Sequence, residues 1–276
     1  MVGDWRDDLE AWLEPFVAAL RHKTRGRMCP SYVAGLIGPG DRKSVQPMAA
    51  RSGGASYDQL HHFVSSGVWD AAPLETALLT EADAQIGGDD AWLIIDDTSL
   101  PKKGTHSVGV APQYASTLGK TSNCQTLVSL TLARREVPVM IGLRLFLPEI
   151  WTSDLARLDR AKVPEARRDY RTKPEIALEE IDRARQADVR FGCVLADAGY
   201  GLSAPFRQGL FRLNFCLNFN RNFHFNDHHD FHNIKGDIFS NIKDDIFIDI
   251  KREICHNIYG DKNVVRNGIY SDGKSG

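Results

Sequence analysis

Two short apolar runs, each ending in an aspartate, constrain the fold of this chain more than any other feature. The runs are residues 92–97 and 191–197. Apolar runs of this length are typical of buried β-strands. An Asp at the point where such a strand leaves the core lies at the protein surface on a rigid support. Asp97 and Asp197 are therefore candidate functional residues, because a pair of carboxylates can hold a divalent metal ion.

The segments between the two runs predict the order βββαβ. Residues 124–132 and 137–147 are rich in Val, Leu, Ile and Thr and flank a polar turn, which indicates two antiparallel strands. Residues 172–175 have the signature of a capped helix start, and apolar residues follow at helical spacing. A helical crossover then returns residues 189–196 parallel to a neighbouring strand. If that neighbour is the first strand, Asp97 and Asp197 meet, as in a mixed α/β sheet of the ribonuclease H-like type; other α/β folds begin in the same way.

Specific motifs follow this framework in order along the chain. They are Asp-Asp-Thr-Ser-Leu-Pro-Lys-Lys-Gly at 96–104, Ser-Val-Gly-Val-Ala-Pro-Gln-Tyr at 107–114, Gly-Lys at 119–120, Asn-Cys-Gln at 123–125, Leu-Pro-Glu-Ile-Trp-Thr-Ser-Asp at 147–154, Thr-Lys-Pro-Glu at 172–175 and Ala-Asp-Ala-Gly-Tyr-Gly at 196–201. Together they resemble bacterial insertion-sequence transposases of the DDE superfamily, in the branch that carries D-D-T with a following K-K-G. The resemblance runs from about Trp5 to about Leu210.

The resemblance implies cut-and-paste DNA transposition by a ribonuclease H-like core. In the intact family, Asp, Asp and Glu hold two magnesium or manganese ions. Asp97 matches the first acid and Asp197 the second. The implied partners are double-stranded DNA, both transposon ends and target, and a second copy of the chain in a homodimer on DNA.

Asp96 directly precedes Asp97, and successive residues of a strand point to opposite faces of its sheet. Only one of the two can therefore bind a metal ion directly. The family pattern favours Asp97, the residue before Thr98, and leaves Asp96 as a supporting partner at the strand end. Without the motifs, such an Asp pair would indicate only a strand that runs into a turn.

Three lysines lie on Gly-containing segments beside the proposed site: Lys102, Lys103 and Lys120. They are candidates for contacts with DNA phosphates, which position a duplex without identifying its sequence. The alternative is a set of solvated turns. Tyr200, which follows the second Asp, has two interpretations of equal weight: stacking on a flipped base, or capping the core.

Residues 1–90 are predicted to form a helical domain. One apolar stripe at helical spacing, expected to face the core, consists of Trp5, Leu9, Trp12, Leu13, Phe16 and Leu20. A basic cluster follows it and is a candidate for DNA backbone contact: Arg21, Lys23, Arg25 and Arg27. The region has 8 Lys and Arg against 13 Asp and Glu, so its charge alone does not indicate nucleic acid. The resemblance assigns this domain to binding of transposon ends.

Composition favours a cytoplasmic protein with no membrane partner. The chain has 276 residues, of which 42% are hydrophobic, and can bury a full core in two domains. Its five cysteines contain no C-x-x-C pair, which is typical of reduced thiols rather than of a disulfide framework or a zinc site. No run is long and apolar enough to cross a membrane.

The composition changes sharply in the last quarter of the chain. Residues 1–205 contain 25 Ala and one Asn, whereas residues 206–276 contain no Ala, 10 Asn and 9 of the 13 Phe. This change indicates foreign or out-of-frame coding sequence soon after Leu210. Near copies of an eight-residue unit also recur from Asn233 onward. Residues 213–276 are therefore predicted to be an unrelated low-complexity tail, with a candidate strand at 213–219.

The tail affects the expected activity. The third acid of the family is a Glu well beyond the second Asp, and the only Glu after Glu180 is Glu253, inside the repeats. A residue there lacks the packed support that a catalytic site requires. The sequence thus predicts a truncated, inactive transposase with a helical domain at 1–90 and a partial catalytic core at 91–212. Two alternatives stay open: a non-catalytic competitor that binds DNA or intact transposase, and a metal-dependent ribonuclease H-like nuclease.

Overall fold

The computed structural model describes residues 5–40, 42–65, 70–115 and 118–212. The predictions about the tail, including the candidate strand at 213–219, the repeats and Glu253, lie outside these residues. Among the described residues, Cys29, Cys124 and Cys193 are free thiols. None of the helices in the described ranges combines the length and apolar character that crossing a membrane requires.

Five helices precede the sheet in the described part of the chain: α1 (Trp5–Ala19), α2 (Lys23–Ile37), α3 (Val45–Ser52), α4 (Tyr57–Ser65) and α5 (Ala72–Ile86). The start of α4 is capped reciprocally by Ser56 and Gln59. Ser56 Oγ accepts from the Gln59 backbone N–H at 3.3 Å, and Gln59 Oε1 accepts from the Ser56 backbone N–H at 3.0 Å. The helices surround an apolar cluster that includes Leu20, Met28 and Leu60.

The expectation that the whole apolar stripe of α1 faces the core is wrong for its two tryptophans. Trp5 is 40% exposed and Trp12 is 42% exposed, whereas Leu13 and Leu20 are buried. α1 packs mainly against α2 and α5, so its neighbours cover only part of its apolar side. Trp12 packs instead along its own helix, with its ring centroid 5.0 Å from that of Phe16.

The sheet has five strands in the described residues: β1 (Gly88–Pro101), β2 (Ala111–Ala115), β3 (Lys120–Arg134), β4 (Val137–Leu145) and β5 (Phe191–Ala196). β3 pairs antiparallel with β1 on one edge, and with β2 and then β4 along the other edge. β5 pairs in parallel with β1. The predicted α/β class, with a helical region before a mixed sheet, is confirmed and is consistent with a ribonuclease H-like fold.

The short strand β2 is an addition to the predicted three-strand meander. It has five residues, includes Pro112 and lacks the apolar run that identified the other strands. Proline cannot donate a ladder hydrogen bond and is tolerated in edge strands. β2 occupies such an edge, beside the first residues of β3. The observed order is therefore ββββαβ.

The crossover from β4 to β5 contains four helical segments: α6 (Glu149–Thr152), α7 (Leu155–Arg160), a 3-10 helix (Glu165–Arg167) and α8 (Lys173–Gln186). α8 begins with the predicted capping box between Thr172 and Glu175. It packs on β3 and β4, with Ile181 and Ala184 fully buried in the main core. After β5 come α9 (Ala198–Leu202) and α10 (Ala204–Arg212).

Candidate active site

Asp97 lies within β1, and Asp197 directly follows β5, the parallel neighbour of β1. Ile95 of β1 pairs with Ala196 of β5. Asp97 is two residues beyond Ile95, and Asp197 directly follows Ala196, so both acids lie where the pairing between β1 and β5 ends. The expectation that the first strand ends at Asp97 is wrong, because β1 continues to Pro101 and stays paired with β3. The predicted pairing of the first and last strands is confirmed, and it determines where the two carboxylates lie.

The Asp97 carboxylate accepts hydrogen bonds from two different elements. Leu93 and Ile95 are buried in the core that α8 covers, and strand alternation puts Asp97 on the same face. Lys173, the first residue of α8, holds its Nζ 2.5 Å from Asp97 Oδ2. The Tyr200 hydroxyl donates to Asp97 Oδ1 at 2.5 Å. The Asp97 side chain is nevertheless 25% exposed, so it remains accessible to solvent.

Tyr200 connects the two acids. Its side chain is buried, and its ring centroid lies 5.6 Å from that of Phe206. Its backbone N–H donates to Asp197 Oδ1 at 3.1 Å, because Asp197 caps the N-terminus of α9. Burial, followed by the charge of Asp97, raises the pKa of Tyr200 far above its usual value, so the hydroxyl stays protonated as a donor. The core-capping interpretation of Tyr200 is confirmed, and its bond to Asp97 is an additional finding.

Asp96 lies on the face opposite Asp97, because successive strand residues alternate. Its Oδ1 accepts from the Asp97 backbone N–H at 2.9 Å. Its backbone carbonyl accepts from Ser129 Oγ on β3 at 3.0 Å. Asp96 thus fixes the β1 backbone beside Asp97, where the pairing of β1 with β5 ends.

The sheet-end lysines, Lys102, Lys103 and Lys120, gather at one end of the sheet. Lys102 and Lys103 follow β1, and Lys120 begins β3 beyond the last residue that pairs with β1. Asn123 holds the loop after β1, since its Nδ2 donates to the carbonyls of Lys102 at 2.9 Å and Gly104 at 2.8 Å. Lys103 and Lys120 are exposed and Lys102 is half-buried. Lys102 lies about 16 Å from Asp97 along the strand, at roughly 3.3 Å per residue.

The helical basic cluster, Arg21, Lys23, Arg25 and Arg27, lies at the junction of α1 and α2. Arg21 has a left-handed backbone with φ 47°, which reverses the chain between the two helices. Arg21, Lys23 and Arg27 are exposed. α1 and α2 pack mainly against each other and against α3, α4 and α5. The cluster therefore belongs to the helical surface, and the described contacts do not bring it to the two carboxylates.

Asp97 and Asp197 supply part of the ligand set that a divalent cation requires. Asp97 and Asp197 offer the hard oxygen ligands that magnesium and manganese prefer, and the ammonium of Lys173 already stands as a cation on Asp97. In the described residues, no group of three or more His, Cys, Asp and Glu side chains lies close enough together to hold an ion. The described residues after Asp197 also contain no Glu. The geometry therefore offers two carboxylate ligands rather than a complete set of three.

Sequence reasoning missed Lys173 as the partner of Asp97, although the residue stands inside the Thr-Lys-Pro-Glu motif. One signal could have indicated it. The positive end of the helix dipole disfavours a cation in the first turn of a helix, so a Lys there suggests a partner outside the helix. The bond from Tyr200 to Asp97 had no comparable signal, because it joins residues 103 positions apart.

Comparison with known proteins gives two similarities. Residues 15–225 match the family model described as DDE superfamily endonuclease, a match that extends past Leu210. The probable transposase for insertion sequence element IS701 of Microchaete diplosiphon is 34% identical over 170 residues, which are 61% of this chain and 41% of that protein. The chain thus spans about two-fifths of the length of this curated relative.

Proposed function

The chain belongs to the DDE superfamily of endonucleases, and on that premise we propose that it is an insertion-sequence transposase in a form that has lost catalytic turnover. The ancestral reaction is metal-dependent phosphodiester cleavage and strand transfer at the ends of the element. The similar protein of Microchaete diplosiphon is named as a probable transposase, which supports the same reaction class for this chain. The DNA partners in this proposal are the element's ends and a target duplex, bound by a homodimer.

One observation carries the proposal: two carboxylates extend from neighbouring parallel strands and share Tyr200 as a partner. Asp97 and Asp197 would hold the cation. A divalent ion bound there would activate the attacking oxygen and stabilise the leaving oxygen of a phosphodiester. The chain's own contribution is to fix the Asp97 carboxylate through Tyr200 and the β1 backbone beside it through Asp96.

The proposed loss of turnover rests on the absence of a third acid near Asp97 and Asp197 among the residues that the structure describes. A two-metal reaction needs ligands held within about 0.5 Å of productive geometry. The described residues supply Asp97 and Asp197 without a third acid nearby. Without that ligand, the chain keeps the DNA-binding surfaces and a partial cation site. The non-catalytic competitor for transposon ends is therefore the second candidate function, and this same observation favours it.

A cleavage assay and a gel-shift assay test the proposal together. The purified chain is incubated with magnesium or manganese and with the duplex that flanks its gene. We expect a shifted complex without nicked, cut or joined DNA. Asp97→Asn and Asp197→Asn serve as site variants. Asp182→Asn serves as the matched control, because Asp182 lies on α8 away from the site and its side chain is 49% exposed.

Each outcome of this assay has a consequence. Cleavage that both site variants abolish and Asp182→Asn preserves would contradict the loss of turnover and favour the nuclease alternative. A chain that neither shifts nor cuts the flanking duplex would contradict the proposed DNA function altogether.

The sheet-end lysines give a separate prediction on DNA affinity. Phosphate contacts release counterions, and each one contributes about 0.9 to the slope of log affinity against log salt. Replacing Lys102, Lys103 and Lys120 together with Gln should reduce that slope by about 3 on duplex DNA. Lys162→Gln, which removes an exposed charge from the crossover instead, is the control. An unchanged slope in the triple variant would mean that these lysines only solvate their turns.

A further inference from the structure

The two partners of Asp97 differ in how firmly they are held. Tyr200 is 3% exposed and is fixed by its ring contact with Phe206 and by its backbone bond to Asp197. The Lys173 side chain is 30% exposed and reaches Asp97 through a flexible stem. One Asp97 oxygen thus has a permanent neutral donor, and the other has a movable cation.

The position of Lys173 indicates that its charge stabilises Asp97 rather than α8. It is the first residue of α8, directly after the capping Thr172. A positive charge there opposes the helix dipole, so it does not stabilise α8. Asp97 Oδ2 at 2.5 Å and the ring of Phe146, 5.7 Å from Nζ to its centroid, are what hold the ammonium.

The Lys173 ammonium also occupies Asp97 Oδ2, the oxygen that would bind a metal ion. Two like charges within about 4 Å repel each other strongly near a protein surface. A divalent cation on Asp97 Oδ2 therefore cannot coexist with Lys173 Nζ on the same oxygen.

From this geometry we propose that Lys173 is the exchangeable counter-ion of Asp97, and that Lys173 leaves Oδ2 when a divalent cation binds there. Tyr200 keeps its bond to Oδ1 during the exchange, so the carboxylate does not rotate. Lys173 is thus a positioning residue that stabilises the metal-free site and lowers its affinity for the ion. This inference rests on the proposed function, because it takes Asp97 as a metal ligand.

Direct binding of manganese, measured by calorimetry and by the loss of the free-ion electron paramagnetic resonance signal, tests the exchange without any activity assay. Lys173→Gln removes the competing charge and should bind manganese at least about tenfold more tightly than the natural chain, given the strength of such close repulsion. Lys173→Arg keeps the charge and should stay close to the natural chain. Asp97→Asn should abolish manganese binding whether residue 173 is Lys, Gln or Arg.

Thermal unfolding supplies a second measurement that does not depend on metal affinity. In chelator, Lys173→Gln should lower the Tm by about 3 °C, since it leaves Asp97 without its cation. Saturating manganese should then raise the Tm of Lys173→Gln by more than it raises the Tm of the natural chain, because a tighter ligand stabilises the folded state more.

The possible failures are distinguishable. If Lys173→Gln binds manganese no more tightly than the natural chain while Asp97→Asn still abolishes binding, the counter-ion inference is overturned and the metal site of the proposed function stands. If manganese binds equally well after Asp97→Asn, both the inference and the proposed metal site are overturned.

Discussion

Replacing Arg144 with Met is expected to lower the free energy of unfolding by about 3 to 5 kcal/mol, the range for breaking a buried ion pair from one side. Arg144 lies on β4 and forms a bidentate pair with Glu75 of α5, with Nη1–Oε1 at 2.8 Å and Nη2–Oε2 at 2.6 Å. Its Nε also lies 2.7 Å from Glu180 Oε1 on α8. The Arg144 side chain is 10% exposed and that of Glu180 is 6% exposed, so water cannot replace the lost cation.

The network joins the helical region to the sheet and to the crossover helix. Glu180 Oε2 also accepts from Arg183, whose Nη2 donates to the Ile141 carbonyl at 2.7 Å. Losing Arg144 therefore leaves two carboxylates with less charge compensation and weakens the contact between α5 and β4. Denaturant unfolding measures the effect.

The matched control is Arg171→Met. Arg171 pairs with Glu179 at 2.6 Å, but these side chains are 34% and 46% exposed. Surface pairs of this kind contribute about 0 to 1 kcal/mol. If Arg144→Met and Arg171→Met lower the free energy of unfolding equally, burial of the Arg144 network adds nothing to its contribution to stability.

The same network predicts the direction of a pH effect. Burial raises the pKa of Glu75, but the hydrogen bond and charge of Arg144 outweigh it and leave that pKa below its usual value. A carboxyl with a lowered folded-state pKa contributes stability above its unfolded pKa of about 4.3 and loses it as the pH falls. Unfolding measured across acidic pH should therefore show a smaller pH dependence in Arg144→Met than in the natural chain.

Gly192→Ala is expected to destabilise the chain by about 3 kcal/mol, at the upper end of overpacking effects. The new Cβ would collide with backbone atoms, which cannot move aside as a flexible side chain can. A Cβ at position 192 would lie 1.9 Å from the Asp89 carbonyl oxygen and 2.9 Å from its carbon. The register between β1 and β5 shifts at this point, between Gly88 and Trp92. The two strands approach too closely here for any side chain.

The effect should reach the candidate site, since β1 and β5 carry the two acids. Separation of these strands at position 192 would change the spacing of Asp97 and Asp197 at their far end. Gly104→Ala is the control, because a Cβ there meets nothing within 4 Å. Denaturant unfolding that gives the two variants the same stability would contradict the close approach of β5 to Asp89.

The sequence determined much of this protein through local patterns. Apolar runs predicted β1 and β5, and the capping signal at Thr172 predicted where α8 begins. These predictions succeeded because strand burial and helix capping depend on residues close together in the chain. Residues 92–97 and 191–197 also identified the candidate acids, since each Asp ends a run that cannot remain in water.

Only the tertiary structure decided which long-range partners meet. Lys173 and Tyr200 reach Asp97 across 76 and 103 residues, and Glu75 reaches Arg144 across 69. No local pattern encodes such pairs, because they depend on the packing of α8, α9 and α5 against the sheet. The exposure of Trp5 and Trp12 has the same cause: periodicity shows that a helix has an apolar side, but its neighbours decide how much of that side is covered.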